Sequence, residues 1–266
     1  MPFSFSDVAA LLSGGIVGFV LGLIGGGGSV FATPLLVYFV GVSDPHVAIG
    51  TGATAVAINA LFNLVGHARA GNVKWPCAIV FATAGVVGAT IGSSLGKVFD
   101  GQKLLLLFGI LMLVVAAQMA FKKPTVPNPD VRMTPANARG MAPALIFFGL
   151  TVGMLAGFFG IGGGFLVVPG ILAATHMPMI SAIGSSLVSV SVFGAATAAN
   201  YALSGLVDWR VATLLLAGGV VGGYFGGVLS RRISARKETL TRIFAALVAG
   251  VGLYVIYRGA LVLIAP

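Results

Sequence analysis

Charge is what this chain of 266 residues has least of: Asp, Glu, Lys and Arg together make up 8% of it, and six residues are acidic. None of the carboxylates falls deep in an apolar stretch, since Asp44, Asp100 and Asp208 all lie at segment ends. A carboxylate-held sodium or proton site inside the protein is therefore not supported. A single cysteine, Cys77, excludes an intrachain disulfide. With three histidines and no His/Cys cluster, H-E-x-x-H or Ser–His–Asp set, neither an enzyme, a metal centre nor a cofactor is expected. No basic stripe with interleaved aromatics accompanies the net charge of +9, so nucleic acid is set aside as a partner. The first seven residues lack a basic leader region, and no cleavable signal peptide is expected.

What is present in excess is apolar surface, at 58% of residues, and glycine, at 40 residues. A water-exposed fold could not cover that much apolar surface, so the partner is the lipid bilayer. Apolar segments run over Val8–Ile24, Val30–Val40, Val47–Ala68, Pro76–Gly96 and Leu104–Phe121. They recur as Ala142–Phe159, Phe165–Thr175, Ile180–Ser204, Val211–Leu229 and Leu240–Ile264. The second set repeats the first in sequence. Gly18, Gly22, Gly25, Gly27, Gly28 and Pro34 return at one constant spacing as Gly153, Gly157, Gly160, Gly162, Gly163 and Pro169. After a slip of one residue, Ala48-Ile49-Gly50-Thr51 returns as Ala182-Ile183-Gly184-Ser185, and Gly71 and Trp75 as Gly205 and Trp209. The chain is an internal duplication with repeats at 1–121 and 141–266, joined by a Pro-rich connector over 122–140 that reads as extended and solvated.

The basic residues give the direction of each half. If each half crosses the membrane an odd number of net times, Lys97, Lys103, Arg210 and Arg258 fall on one side and the other eleven of the fifteen Lys and Arg on the opposite side. An even number of crossings divides them seven against eight. The positive-inside rule favours the first arrangement. The expected fold class is thus an all-α membrane protein of two inverted repeats. Each repeat is a glycine-broken helical hairpin, re-entrant or made of two short spans, followed by three transmembrane helices. The expected location is a bacterial inner membrane, multi-pass, with both termini periplasmic and the connector cytoplasmic.

Gly25-Gly26-Gly27-Gly28-Ser29 and Gly160-Ile161-Gly162-Gly163-Gly164 interrupt these apolar stretches. Each glycine costs a helix about 1 kcal/mol relative to alanine, so the chain must turn or unwind there. Broken backbone at membrane depth has to be buried in protein or face a water-filled cavity. Helices resuming at Ser29 and Gly164 would offer free N–H groups and a positive dipole end, which suits an anion. The glycines at spacing four, Gly14, Gly18, Gly22 and Gly149, Gly153, Gly157, fit close helix packing better. Thr51, Asn59, Asn63 and His67 form a polar stripe on the third segment. Ser185, Ser189, Thr197 and Tyr201 form its partner, with Ser186 and Asn200 beside it. Inter-helix hydrogen bonding accounts for single Ser and Thr residues, whereas Asn59 and Asn63 are candidates to line a pathway. His67 and Arg69 are candidates for its entrance, or solvated end residues.

The motifs from Gly22 to Leu36 (Gly-Leu-Ile-Gly-Gly-Gly-Gly-Ser…Pro-Leu-Leu) and from Gly157 to Pro169 (Gly-Phe-Phe-Gly-Ile-Gly-Gly-Gly-Phe-Leu-Val-Val-Pro) resemble those of the TauE/SafE family, the sulfite exporter or toluene-sulfonate uptake permeases. The likeness extends to the Ala-Ile-Gly-Thr/Ser starts and the Gly-x-x-x-Trp loops. It implies secondary transport of a small sulfur-containing anion: sulfite, sulfoacetate or another organosulfonate. Members are often exporters and often proton-linked, so protons are a second expected partner. Uptake or channel-like passage of the same anions, or an auxiliary membrane subunit, are the alternatives. The resemblance carries the glycine motifs, Gly25, Gly26, Gly27, Gly28, Ser29, Gly160, Gly162, Gly163 and Gly164, over as the substrate region, with the nearby polar residues Thr51, Asn59, Asn63, Ser185, Ser186, Asn200 and Tyr201 as further substrate-binding candidates. The oligomeric state, a homodimer included, is left open by the sequence.

Overall fold

A computed structural model describes residues 4–24, 26–121, 135–232 and 237–264. The regular structure among them is all helical. Helix α1 (Phe5–Ile24) leads into a tight 3-10 stretch, Gly26–Phe31, then a short α-helical turn, α2 (Ala32–Leu35), and a wide π turn, Leu36–Val40. Helices α3 (Pro45–Arg69), α4 (Trp75–Val98) and α5 (Gly101–Phe121) complete the first half. The second half contains α6 (Pro135–Phe159), α7 (Gly164–Thr175), α8 (Met179–Ala202), α9 (Trp209–Arg232) and α10 (Lys237–Ile264).

Local chemistry explains the ends of these helices. The Asp44 carboxylate accepts from the His46 amide at 2.7 Å, with Pro45 in the first turn of α3. Gly71 and Gly205 close α3 and α8 with the same left-handed geometry, φ 71° and 72°. Behind them the amides of Asn72 and Leu206 reach back to the carbonyls of His67 and Tyr201 at 3.0 Å. Pro34 has no N–H to give, and the ladder around it changes from 3-10 to π.

Two sequence-based boundaries shift. Pro135–Gly140, read as extended connector, is the first part of α6, where proline is tolerated because a first-turn N–H has no acceptor anyway. Helix also resumes at Gly26 rather than Ser29, because the 3-10 hydrogen-bond pattern accommodates consecutive glycines. Residues 122–134 of the connector lie outside the described residues.

The two halves embrace reciprocally. Helix α1 packs along α9, and its counterpart α6 packs along α4. A Cβ on Gly14, Gly18 or Gly22 would fall on the backbone carbonyls of Leu215, Gly219 and Gly223. A Cβ on Gly149, Gly153 or Gly157 would fall on those of Phe81, Gly85 and Ala89. These are backbone-to-backbone crossings of the small-residue kind, the packing role expected for glycines at spacing four. Two further contacts repeat with the halves exchanged. The Asp208 amide donates to Thr51 Oγ1 at 2.9 Å, and the Lys74 amide donates to Ser185 Oγ at 2.9 Å.

At the centre, α3 and α8 lie against each other and run antiparallel. Gly50, near the start of α3, meets Tyr201 near the end of α8, while Gly184, near the start of α8, meets Asn72 just after α3. Helices α5 and α10 pack mainly on each other at the margin.

Seven helices among the described residues are long and apolar enough to cross a membrane: α1, α3, α4, α5, α6, α8 and α9. Helix α1, at 20 residues, is about 30 Å long, enough for a full crossing, so the first arm of the hairpin is no short helix. Its second arm and the 12-residue α7 are too short to cross unaided. The lipid side is legible in the exposed run Ile79, Val87, Ile91 and Leu95 on α4, opposite the glycine face that meets α6. Exposed Trp75 and Trp209 start α4 and α9, as interfacial aromatics do.

Replacing Gly18 or Gly153 by valine should force the paired helices apart and cost about 3 kcal/mol or more. Melting of the detergent-solubilised protein measures this. Gly250→Ala, where no atom lies within 4 Å of the added Cβ, should leave the melting temperature unchanged or slightly raised.

Candidate functional site

The two glycine breaks lie in the interior, and they pack against each other through the Gly26–Phe31 stretch and α7. Gly27, Gly28 and Ser29 on one side and Gly160, Gly162, Gly163 and Gly164 on the other are all buried. Gly26 begins the 3-10 stretch; Gly25 lies outside the described residues. Although alike in sequence, the breaks differ in form. Gly160, Gly162 and Gly163 hold positive φ values of 65°, 61° and 75°, while the described glycines of the first break hold none. The second break is therefore a true reversal that only glycine adopts without strain.

Packing shares responsibility for these glycines. A Cβ on Gly28 would strike the backbone of Val17 and Leu21, and one on Gly160 the Ile49 side chain of α3. A Cβ on Gly163 would sit 2.7 Å from Ala156 Cβ and 3.3 Å from the Phe193 ring of α8. The amides of Gly162, Gly163 and Gly164 nevertheless find no backbone acceptor among the described residues, while Leu166 and Val167 both donate to the Gly163 carbonyl. These free donors open a 12-residue helix, where the dipole is positive.

The polar stripes divide by their partners. Thr51 and Ser185 each accept a backbone N–H from the loop before the opposite half's fourth helix, so both hydroxyls fasten the halves together. Ser186 Oγ donates to the Ile183 carbonyl of its own helix at 2.7 Å. Asn200 is engaged at α8's far end. Its Nδ2 donates to Ser93 Oγ at 2.7 Å and Ser94 Oγ at 3.0 Å, and its Oδ1 accepts from Lys97 Nζ at 2.7 Å. Tyr201 is fully buried, its ring 6.4 Å from that of His46 and its hydroxyl without a partner.

Asn59 is 1% exposed, and neither atom of its carboxamide has a hydrogen-bond partner. It points at Gly219 of α9, where a Cβ would collide with its Nδ2. A buried polar group left so costs about 1–3 kcal/mol, which is a reason to expect a further partner there in another state. One turn along α3, Asn63 Nδ2 donates to the Asn59 carbonyl at 2.9 Å. Asn63 and His67 line a cavity of about 490 Å³ between α3 and α9, shared with Asn72, Tyr224 and Ser230. Asn59 and the break glycines do not line it, and Arg69 is exposed beyond it. Asn72, Tyr224 and Ser230 escape a reading of the sequence because only the fold brings α9 and the loop after α3 together at the cavity. No group of three or more His, Cys, Asp or Glu residues suited to a metal occurs among the described residues.

A family model described as Sulfite exporter TauE/SafE matches residues 10–255. The chain belongs to the TauE/SafE family. It is similar to a "Probable membrane transporter protein" of Xylella fastidiosa (strain 9a5c), with 49% identity over 95% of this chain and 96% of that one. It is also similar to "Probable membrane transporter protein YunE" of Bacillus subtilis (strain 168), with 26% identity over 96% and 98%. No solved structure matches it significantly. As a TauE/SafE protein with seven candidate spans, the chain is a multi-pass membrane transporter for a small molecule and not an enzyme.

If Thr51 and Ser185 are fasteners, Thr51→Val and Ser185→Ala each strand a backbone N–H. Each should lower stability by about 1–3 kcal/mol. The order of preference among transported anions should stay the same in a competition assay.

Proposed function

We propose that this TauE/SafE protein is a secondary transporter that exports a small sulfur-containing anion, sulfite, sulfoacetate or another organosulfonate, across the bacterial inner membrane with proton coupling. The observation that carries the proposal is the meeting of the two buried glycine breaks between α3 and α8, with unbonded amides at Gly162 to Gly164. Amide donors at a helix start, held in a low-dielectric interior, favour a compact oxyanion. The Asn59 carboxamide, on the same helix as Val56 beside Gly162 and with an N–H₂ that has no hydrogen-bond partner, would supply a side-chain donor. Gly27, Gly28 and Ser29 supply the facing backbone, and the cavity reaching Asn63 and His67 is the approach to it. The family's description as sulfite exporters supports the choice of sulfite among small anions.

The halves are read as inverted repeats, with both termini periplasmic and the 122–140 connector cytoplasmic. Antiparallel α3 and α8, counterparts in the duplication, support this reading, as does the division of basic residues between the two sides.

Proteoliposomes with an imposed proton gradient test the function. Sulfite or sulfoacetate should accumulate against its own gradient, and Gly162→Ala and Asn59→Leu should each reduce the initial rate about tenfold or more. Flux that only equilibrates the anion would replace the coupled carrier by a channel-like pathway. Absence of flux and of thermal stabilisation with every sulfur anion at millimolar concentration would remove the substrate class.

A further inference from the structure

The cavity between α3 and α9 has a place corresponding to it in the other half, between α8 and α4. Under the duplication, Thr197 stands there for Asn63, Tyr201 for His67, and Asn200 for Gly66. Ser93 and Ser94 of α4 stand for Gly227 and Val228 of α9. That place is shut. Lys97 Nζ donates to the Asn200 carbonyl at 3.1 Å, to Asn200 Oδ1 at 2.7 Å and to Ser204 Oγ at 2.8 Å. Asn200 Nδ2 completes the closure through Ser93 and Ser94. On the same helix, Thr197 Oγ1 and the Tyr201 hydroxyl are both buried and both without a hydrogen-bond partner. The Tyr201 hydroxyl lies 3.3 Å from where a Cβ of Gly96 would stand, so the phenol fills the space against α4.

The open and shut places lie at opposite ends of one helix. Ile180 lines the cavity, and Asn200 is twenty residues further along α8, about 30 Å at helical rise. That distance is about the thickness of the hydrocarbon layer.

We propose that Lys97, Asn200, Ser93, Ser94 and Ser204 form the latch of a second vestibule, and that Thr197 and Tyr201 are the wall that this vestibule exposes when the latch opens. Three features support the assignment. The unpartnered hydroxyls are the counterparts of residues that line the open cavity, and each would gain water or ligand on opening. The latch consists of hydrogen bonds near an end of the helix pair, with Ser94 and Ser204 exposed, so water can replace each bond as it breaks. Lys97 gives its three N–H groups to neutral oxygens and has no carboxylate within ion-pair distance among the described residues. An arriving anion is a stronger acceptor than any of these oxygens, so it can draw Lys97 away from Asn200 and release α8 from α4. Lys97 is then a positioning residue: it holds one end closed and, once freed, presents a cation to the anion.

The inference rests on transport by alternating exposure of the two vestibules and on neither the anion's identity nor its coupling. Accessibility of single cysteines to a membrane-impermeant maleimide, in sealed vesicles of both orientations, therefore tests it without substrate. In a Cys77→Ala background, Asn63→Cys should react from one face, and Thr197→Cys should react slowly or not at all. Adding Asn200→Ala or Lys97→Gln should raise the Thr197→Cys rate about tenfold, from the opposite face, as a minor open state becomes populated. Unchanged reaction of Asn63→Cys in the same variants shows that the fold is intact, and Lys97→Gln serves if Asn200→Ala misfolds. Rapid reaction of Thr197→Cys with the latch intact would overturn the proposal. So would equal rates with and without the latch, or reaction from the same face as Asn63→Cys. Sulfoacetate that speeds the reaction only when Lys97 is present would support the anion as the key. A labelling pattern that follows the latch and ignores sulfoacetate would keep the latch and count against the proposed substrate.

Discussion

The contact on which the structure depends is backbone against backbone: α1 on α9 and α6 on α4, at glycines where a methyl group would meet a carbonyl oxygen. In lipid, apolar side chains give helices little reason to prefer one another over acyl chains, so close packing has to supply the preference. Because each crossing joins a hairpin of one half to the fourth helix of the other, neither half is complete by itself. The same crossings bring the hairpin tips to the interior, where broken backbone is tolerable. Without them the glycine breaks would face hydrocarbon with unsatisfied amides.

Reciprocity between the halves makes their differences informative. Gly219 meets the Asn59 carboxamide, while its counterpart Gly85 meets the ring of Phe193, which stacks on Phe81 at 6.3 Å between centroids. A cavity is bordered by Asn63 and His67, and the equivalent place is bridged by the Lys97–Asn200 hydrogen bond. The corresponding places of the two halves are thus filled unequally. Under the proposed function, this inequality would let the two ends open in turn, with side chains on a shared scaffold making the difference.

Much of the candidate site was legible in the chain, but unevenly. The spacing of Gly14, Gly18 and Gly22 predicted a packing face because helical periodicity places residues four apart on one side. Asn59 and Asn63 stood out because amides are costly in an apolar helix, and each does face the α9 crossing. Thr51 and Ser185 share the polar stripes with these candidates, but the sequence could not name their partners, loop amides more than a hundred residues away. Lys97 looked like an ordinary loop-end cation until the fold set it beside Asn200.

The sequence by itself determined the membrane character, the duplication, the register between its halves and the places where helix must fail. Those depend on hydrophobicity, periodicity and glycine's backbone cost, all of which act locally along the chain. The tertiary structure alone decided which carbonyl each glycine meets, the different forms of the two breaks, the unpartnered state of Asn59, and which of the two corresponding places holds a cavity. Those depend on atoms brought together from distant segments, and burial acts on a hydrogen bond only once its neighbours are in place.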